Sequence, residues 1–170
     1  DLVTVTGTNG KTTTTRLTAH LAATAGHTEG HSSSDGVVIA GQTVERGDWT
    51  GPGATRRVLG DPAVTFAVLE TARGGLLRRG LALDGADVAI CTNVASEHLG
   101  EWGVEDLRTM ARAKLVTALG LKQGGTLIVP AVSEPIHAVL PDLLAERPDL
   151  VVRTFADGQR ADGWADERWL

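Results

Sequence analysis

The sequence has a single cysteine, Cys91, one methionine and no tyrosine, and its 16 basic residues are outnumbered by 21 acidic ones. A lone cysteine excludes an internal disulfide and favours a reducing, cytoplasmic setting. The net charge of −5 argues against a nucleic-acid partner, because phosphate backbones are held by basic patches. No stretch reaches the roughly 18 apolar residues that a membrane-spanning helix needs. The opening Asp1-Leu2-Val3-Thr4-Val5-Thr6-Gly7 lacks the basic n-region and long apolar h-region of a secretory signal. Internal repeats and low-complexity tracts are also missing. What remains is an ordinary globular balance, 42% hydrophobic and 22% charged, in 170 residues. That length suits one domain with a real core. A strand starting at residue 2 and a polar tail from Ala156 to Gly163 suggest that residues 1–170 form one domain of a larger protein.

Short β-rich runs alternate with helical patterns. Leu2–Val5, Thr65–Leu69, Val88–Thr92, Thr126–Val129 and Val151–Phe155 read as strands. Val37–Ile39 and Gln42–Val44 flank Ala40-Gly41, a two-residue hairpin signal. Helices are expected over Thr12–Ala25, stopped by Gly26, over Glu105–Leu119, and over Ser133–Ala145. In the second of these, Leu107, Met110, Ala111, Lys114, Leu115 and Ala118 fall on one stripe. The alternation predicts an α/β fold: a P-loop-type, mostly parallel sheet with helices on both faces, plus a small β-hairpin insertion. Such sheets bind ligands beyond the carboxyl ends of their strands. The chemistry-bearing residues Thr8–Thr12, Glu70 and Asn93–His98 each follow a predicted strand.

The segment Gly7-Thr8-Asn9-Gly10-Lys11-Thr12 has the make-up of a phosphate-binding loop. Glycines at its two corners let the backbone curl so that N–H groups point inward at phosphate oxygens. The helix that follows adds the partial positive charge of its N-terminus. Lys11 supplies a point charge for the terminal phosphates, and the Thr12 hydroxyl a ligand for Mg²⁺. Asn9 and Thr13 complete the phosphate shell. The general pattern G-x-x-x-x-G-K-[ST] asks for glycine where this chain has Val5, so the form here is the shorter G-x-x-G-K-T.

The stretch Thr6-Gly7-Thr8-Asn9-Gly10-Lys11-Thr12-Thr13-Thr14 resembles the nucleotide loop of the Mur ligase family. That family includes peptidoglycan-precursor ligases, folylpolyglutamate synthase and the ligase half of cyanophycin synthetase. Further motifs follow in the family's order: Ser33–Val37, Glu70-Thr71-Ala72-Arg73-Gly74-Gly75 continuing to Gly80, and Thr92-Asn93-Val94-Ala95-Ser96-Glu97-His98. The Glu-Thr-Ala-Arg-Gly-Gly block and the Asp-Gly-Val hairpin look most like the cyanophycin synthetase branch. The resemblance implies the central ATP-binding domain of a ligase. ATP converts a carboxylate into an acyl phosphate, and an amino-acid amine then displaces phosphate. It implies that Thr12 and Glu70, with Ser34, hold a Mg²⁺ ion, and that His98 holds a second. It further implies that Lys114 is carbamylated and supports that second ion. Arg73 is a candidate for the anionic substrate, and flanking ligase domains are expected as partners. After Thr126–Val129 the family has a polar segment that contacts adenosine, where this chain has Pro130-Ala131-Val132-Ser133-Glu134-Pro135.

Other readings of the same residues remain open. A simple P-loop phosphotransferase or NTPase would use the loop without an amine acceptor, and a degenerate nucleotide-binding module would keep the loop without turnover. Arg78 and Arg79 suit either an anionic ligand or a solvated helix face. His20, His27, His31 and His137 show no metal-ligand spacing. Cys91 reads as a small strand residue facing the core.

Overall fold

Strand β1 (Leu2–Thr6) alternates Val3 and Val5 with Thr4 and Thr6, all β-branched residues suited to the extended chain. The computed structural model describes residues 1–72, 74, 80–81, 84–96, 100 and 103–156. After β1 come α1 (Lys11–Thr24), β2 (Glu29–Ser33), β3 (Gly36–Ile39), β4 (Gln42–Arg46), α2 (Pro52–Leu59), β5 (Phe66–Glu70) and β6 (Ala86–Cys91). Then follow α3 (Leu107–Leu115), a 3₁₀ turn (Val116–Gly120), β7 (Leu121–Pro130), α4 (Glu134–His137), α5 (Leu140–Glu146) and β8 (Val151–Phe155). The strands form one eight-stranded sheet in the order β4-β3-β2-β5-β1-β6-β7-β8. Only the pairs β2–β3 and β3–β4 are antiparallel. Every other pair is parallel, as predicted.

The two faces follow from side-chain alternation. Val68 of β5 packs with Val3, Val5 and Ala19 of α1. Its neighbours Ala67 and Leu69 instead join Val58 of α2, so α1 and α2 cover opposite faces. On the far side of β1, Ala89, Cys91, Leu127 and Val129 pack with Ala111 and Leu115 of α3. Helix α1 ends as Gly26 suggested: at φ 92, Gly26 donates to Ala23 O, and His27 donates to Ala22 O, the Schellman arrangement. The hairpin signal holds as well, with Ala40 and Gly41 at φ 49 and 73 between β3 and β4. Among the described residues no helix is long and apolar enough to cross a membrane.

Several boundaries differ from expectation. Strand β2, with the sequence Glu-Gly-His-Ser-Ser, gave no apolar signal, yet it is largely buried. Its burial comes from close approach: a Cβ on Gly30 would meet Val58 and Val64 side chains at 2.8 Å. Helix α2 occupies a stretch for which no helix was expected, with Pro52 in its first turn. Strand β7 begins at Leu121 rather than Thr126; Gly124, at φ 70, lets the strand bulge before Thr126. The Glu105–Leu119 helix runs only from Leu107, capped by Asp106 accepting from Thr109 N, and tightens to 3₁₀ after Leu115. Helix Ser133–Ala145 is divided into α4 and α5.

Two expected outcomes test this packing. Gly30→Ala should overpack the α2–β2 contact and destabilise the fold by about 1–3 kcal/mol, read as a lower thermal midpoint. Arg147 donates to both carboxylate oxygens of Asp149, each at 2.8 Å, and this pairing holds the carboxyl well below the usual aspartate range. A depressed folded pKa contributes stability above the unfolded value and loses it as pH falls. Asp149→Asn should therefore be less stable than wild type at pH 7, with the gap closing in an acid titration towards pH 3.

Candidate active site

The loop leaves β1 at Gly7, where φ is 147 and a Cβ would lie 1.9 Å from the Thr92 Oγ1 atom. Only glycine allows the loop to lie this close to the end of β6. At the other corner Gly10, at φ 78, caps α1 without a side-chain bond, and no acidic residue stands in the first turn. The first helical bond runs from Thr14 N to Gly10 O at 2.9 Å. The preceding amides of the first turn have no intrahelical acceptor, and no carboxylate in that turn competes for them. Lys11 folds back over the loop, its Nζ donating to Thr8 O at 2.8 Å. The predicted phosphate residues Gly7, Thr8, Asn9, Gly10, Lys11, Thr12 and Thr13 thus lie on a single strand–loop–helix turn.

Beside this turn stands a cluster of hard oxygen atoms. Glu70, at the carboxyl end of β5, is only 4% exposed, and its Oε2 accepts from the Thr12 hydroxyl at 2.8 Å. The Thr12 hydroxyl also lies 3.2 Å from the Ser34 hydroxyl, which the β2–β3 turn carries to the same edge. The structure therefore brings Thr12, Ser34 and Glu70 together. No ion pair joins Glu70 to a basic side chain among the described residues. A buried carboxylate without a countercharge is costly, so this oxygen set suits a divalent cation. No cluster of three or more His, Cys, Asp or Glu occurs among the described residues; the hydroxyls of Thr12 and Ser34, with phosphate and water, are the ligands Mg²⁺ accepts instead.

Lys114 is also buried, at 4% exposure on α3. Helix α3 packs over Cys91 through Ala111 and Leu115, and burial pushes the Cys91 thiol up to about 12, with the Lys114 charge acting the other way. His98 and Arg73, and with them Glu97, Arg78 and Arg79, lie outside the described residues. At the end of β7, Pro130 and Ala131 lead into Val132, which is 80% exposed. Away from the loop, His31 faces a cleft of about 540 Å³ between α1 and the hairpin, lined also by Arg16, His20 and Glu29. Its Nδ1 is buried without a partner, and burial lowers its pKa. Sequence reasoning missed Thr92, whose hydroxyl donates to Asn9 O at 2.6 Å. The signal for it was a polar Thr-Asn pair directly after an apolar strand.

Residues 5–168 match the Mur ligase middle domain. Among curated proteins, the cyanophycin synthetase of Crocosphaera subtropica is 48% identical over 141 residues, which is 83% of this chain and 16% of that protein. The chain thus spans a small part of the relative's length. A solved UDP-N-acetylmuramoyl-L-alanyl-D-glutamate–2,6-diaminopimelate ligase superposes with a TM-score of 0.72 at 22% identity, covering 93% of this chain and 32% of its own. A bifunctional folylpolyglutamate synthase/dihydrofolate synthase, solved with Mn, AMPPNP and L-glutamate bound, gives a TM-score of 0.65 at 25% identity, covering 94% and 47%. A glycine-cornered loop and its carboxylate partner, set on one edge of a parallel sheet and matched along nearly the whole sequence, place this chain in the Mur ligase middle-domain family.

Proposed function

We propose that this chain is the ATP-binding portion of an ATP-dependent amide ligase that works through an acyl phosphate. The observation that carries the reading is the buried Glu70 carboxylate, hydrogen-bonded to Thr12 beside an open helix N-terminus. In the first step a substrate carboxylate oxygen attacks the γ-phosphorus of ATP. The bond to the bridging oxygen breaks, giving acyl phosphate and ADP. An amine nitrogen then attacks the acyl carbon, phosphate leaves with the bonding pair, and the amine gives up a proton. The protein's task is to place the reactants in line and offset the charge on the transferring group.

First-turn amides of α1 and the Lys11 ammonium serve the phosphates. Thr12, Ser34 and Glu70 would hold one Mg²⁺ ion, and His98 a second. An ion held there would offset the charge on the phosphates, the chemistry Mg²⁺ supplies in phosphoryl transfer. Lys114, buried on α3, would act as a carbamate supporting the His98 ion, since burial favours the neutral amine that reacts with CO₂. Arg73 is assigned to the anionic substrate. The divalent metal, nucleotide and amino acid in the folylpolyglutamate synthase relative support ATP, a metal and an amino-acid acceptor as ligands here. Flanking domains of the longer chain would supply the carboxylate site and close over ATP, and a reducing cytoplasm suits the buried Cys91 thiol. Pro130–Pro135 leaves the adenosine end without the family's polar contacts, which places binding energy at the phosphates.

In the full-length protein, ATP turnover should require both a carboxylate substrate and an amino-acid amine. Turnover indifferent to the amine would instead establish a phosphotransferase or NTPase. Lys11→Ala should lower turnover on the order of 100-fold or more with an unchanged circular dichroism spectrum; wild-type rates in that variant would remove the loop from the chemistry. For Lys114, protein equilibrated with ¹³C-bicarbonate should show a carbamate carbon resonance that Lys114→Met abolishes. An identical spectrum in the two proteins would exclude the modification.

A further inference from the structure

The phosphate loop is not a free-standing turn. Its tip is bonded to the residue two positions beyond β6. Thr8 N donates to Asn93 O at 3.0 Å and to Asn93 Oδ1 at 3.1 Å. Asn9 N donates to the same Oδ1 at 2.9 Å, while Asn93 Nδ2 returns a bond to Asn9 O at 3.3 Å. Two backbone donors converging on one side-chain atom require that atom to be the carboxamide oxygen, which fixes the amide orientation. The Thr92 hydroxyl donates to Asn9 O, and Ala95 N donates to the Thr8 hydroxyl at 3.0 Å. These bonds join residues more than 80 positions apart in sequence.

This geometry divides the loop's amides into two groups. Those of Thr8 and Asn9 are taken by Asn93, and those of the first turn of α1 are left without an intrahelical acceptor. We infer that Asn93 is a positioning residue for nucleotide binding. Its carboxamide stands in for an anion at the mouth of the loop, holding the backbone in its receptive curl before any phosphate arrives. Without that oxygen, Asn9 N loses its acceptor and Thr8 N keeps only the Asn93 carbonyl, so the loop tip that anchors Lys11 through Thr8 O is held less firmly. The same residue ties the loop to the segment that follows β6. A preorganised cradle binds its ligand with less ordering cost. The role belongs to the side chain of Asn93, since its backbone carbonyl holds Thr8 N whatever residue stands there.

The inference rests on ATP as the ligand of the loop, and the test separates the two ideas. Affinity of the full-length protein for Mg-ATP is measured by direct titration without other substrates. Amide exchange at Thr8 and Asn9 is followed by hydrogen–deuterium exchange in nucleotide-free protein. Asn93→Ala should weaken Mg-ATP binding by about tenfold, the upper scale of one lost hydrogen bond, and raise KM for ATP with a smaller change in kcat. It should also speed exchange at Asn9, and at Thr8 to a smaller extent because the Asn93 carbonyl still accepts from it. Asn93→Asp keeps the acceptor oxygen, so exchange should return towards the wild-type rate while the added charge still weakens ATP. Unchanged affinity and exchange in Asn93→Ala would overturn the assignment, as would faster exchange in Asn93→Asp equal to that in Asn93→Ala. Should Asn93→Ala fail to fold, the exchange rates and ATP affinity of Asn93→Asp decide the matter alone. A wild-type protein that binds no Mg-ATP would refute the ATP-site reading itself, an outcome distinct from any result in the variants.

Discussion

Parallel pairing of β1 with both β5 and β6 sets the height of everything at the carboxyl edge. In that register Val5 lies opposite Glu70 and Thr6 opposite Cys91, so the three strands reach the edge at nearly the same level. The loop leaves the middle strand and is flanked on one side by the Glu70 carboxylate and on the other by Thr92 and Asn93. A slip of one residue in either ladder would turn these side chains to the opposite face of the sheet. Burial on both faces resists such a slip: Val3 and Val5 are enclosed under α1, and Leu69 and Cys91 under the opposite layer.

The electrostatics of this edge run against the chain's overall charge. The protein carries a net −5, yet the loop presents uncommitted amides, a helix N-terminus with no acidic residue in its first turn, and Lys11. The buried negative charge, Glu70, stands one hydroxyl away from them. Oriented amides provide positive potential without long, flexible side chains, so this edge is suited to an anion although the chain as a whole is acidic. The hydroxyls of Thr12 and Ser34 add oxygen ligands at no cost in charge, which suits an ion that must also accommodate phosphate oxygens.

The parts of this arrangement differ in how plainly the sequence announced them. Strands β1, β5 and β6 were legible because each is a compact apolar run followed by polar residues, and the loop because two glycines, a lysine and a threonine have few other uses in that order. Strand β2 was not, because Glu29-Gly30-His31-Ser32-Ser33 carries no apolar period. It is buried by its neighbours, and Gly30 is small for the sake of Val58 and Val64. Helix α2 was hidden by Pro52 and Gly53, which read as loop residues although proline fits the first turn of a helix well. Thr12, Ser34 and Glu70 lie together at the sheet edge, each at or beyond the end of a strand, and Lys114, on the apolar stripe of α3, is buried. The bonds from Asn93 to Thr8 and Asn9 had no local signature at all, since they depend on two strands lying side by side in the folded sheet.

Cys91 gains a different meaning from its place in that sheet. Its thiol is fully buried and held in the protonated form by desolvation, so it is inert towards oxidants and alkylating agents while β6 stays in place. It becomes reactive only when the strand detaches from its neighbours. As the lone thiol in the chain, it is a native clock for such openings, set one residue before Thr92 and two before Asn93. The rate at which it is labelled measures how often the wall behind the phosphate loop comes down.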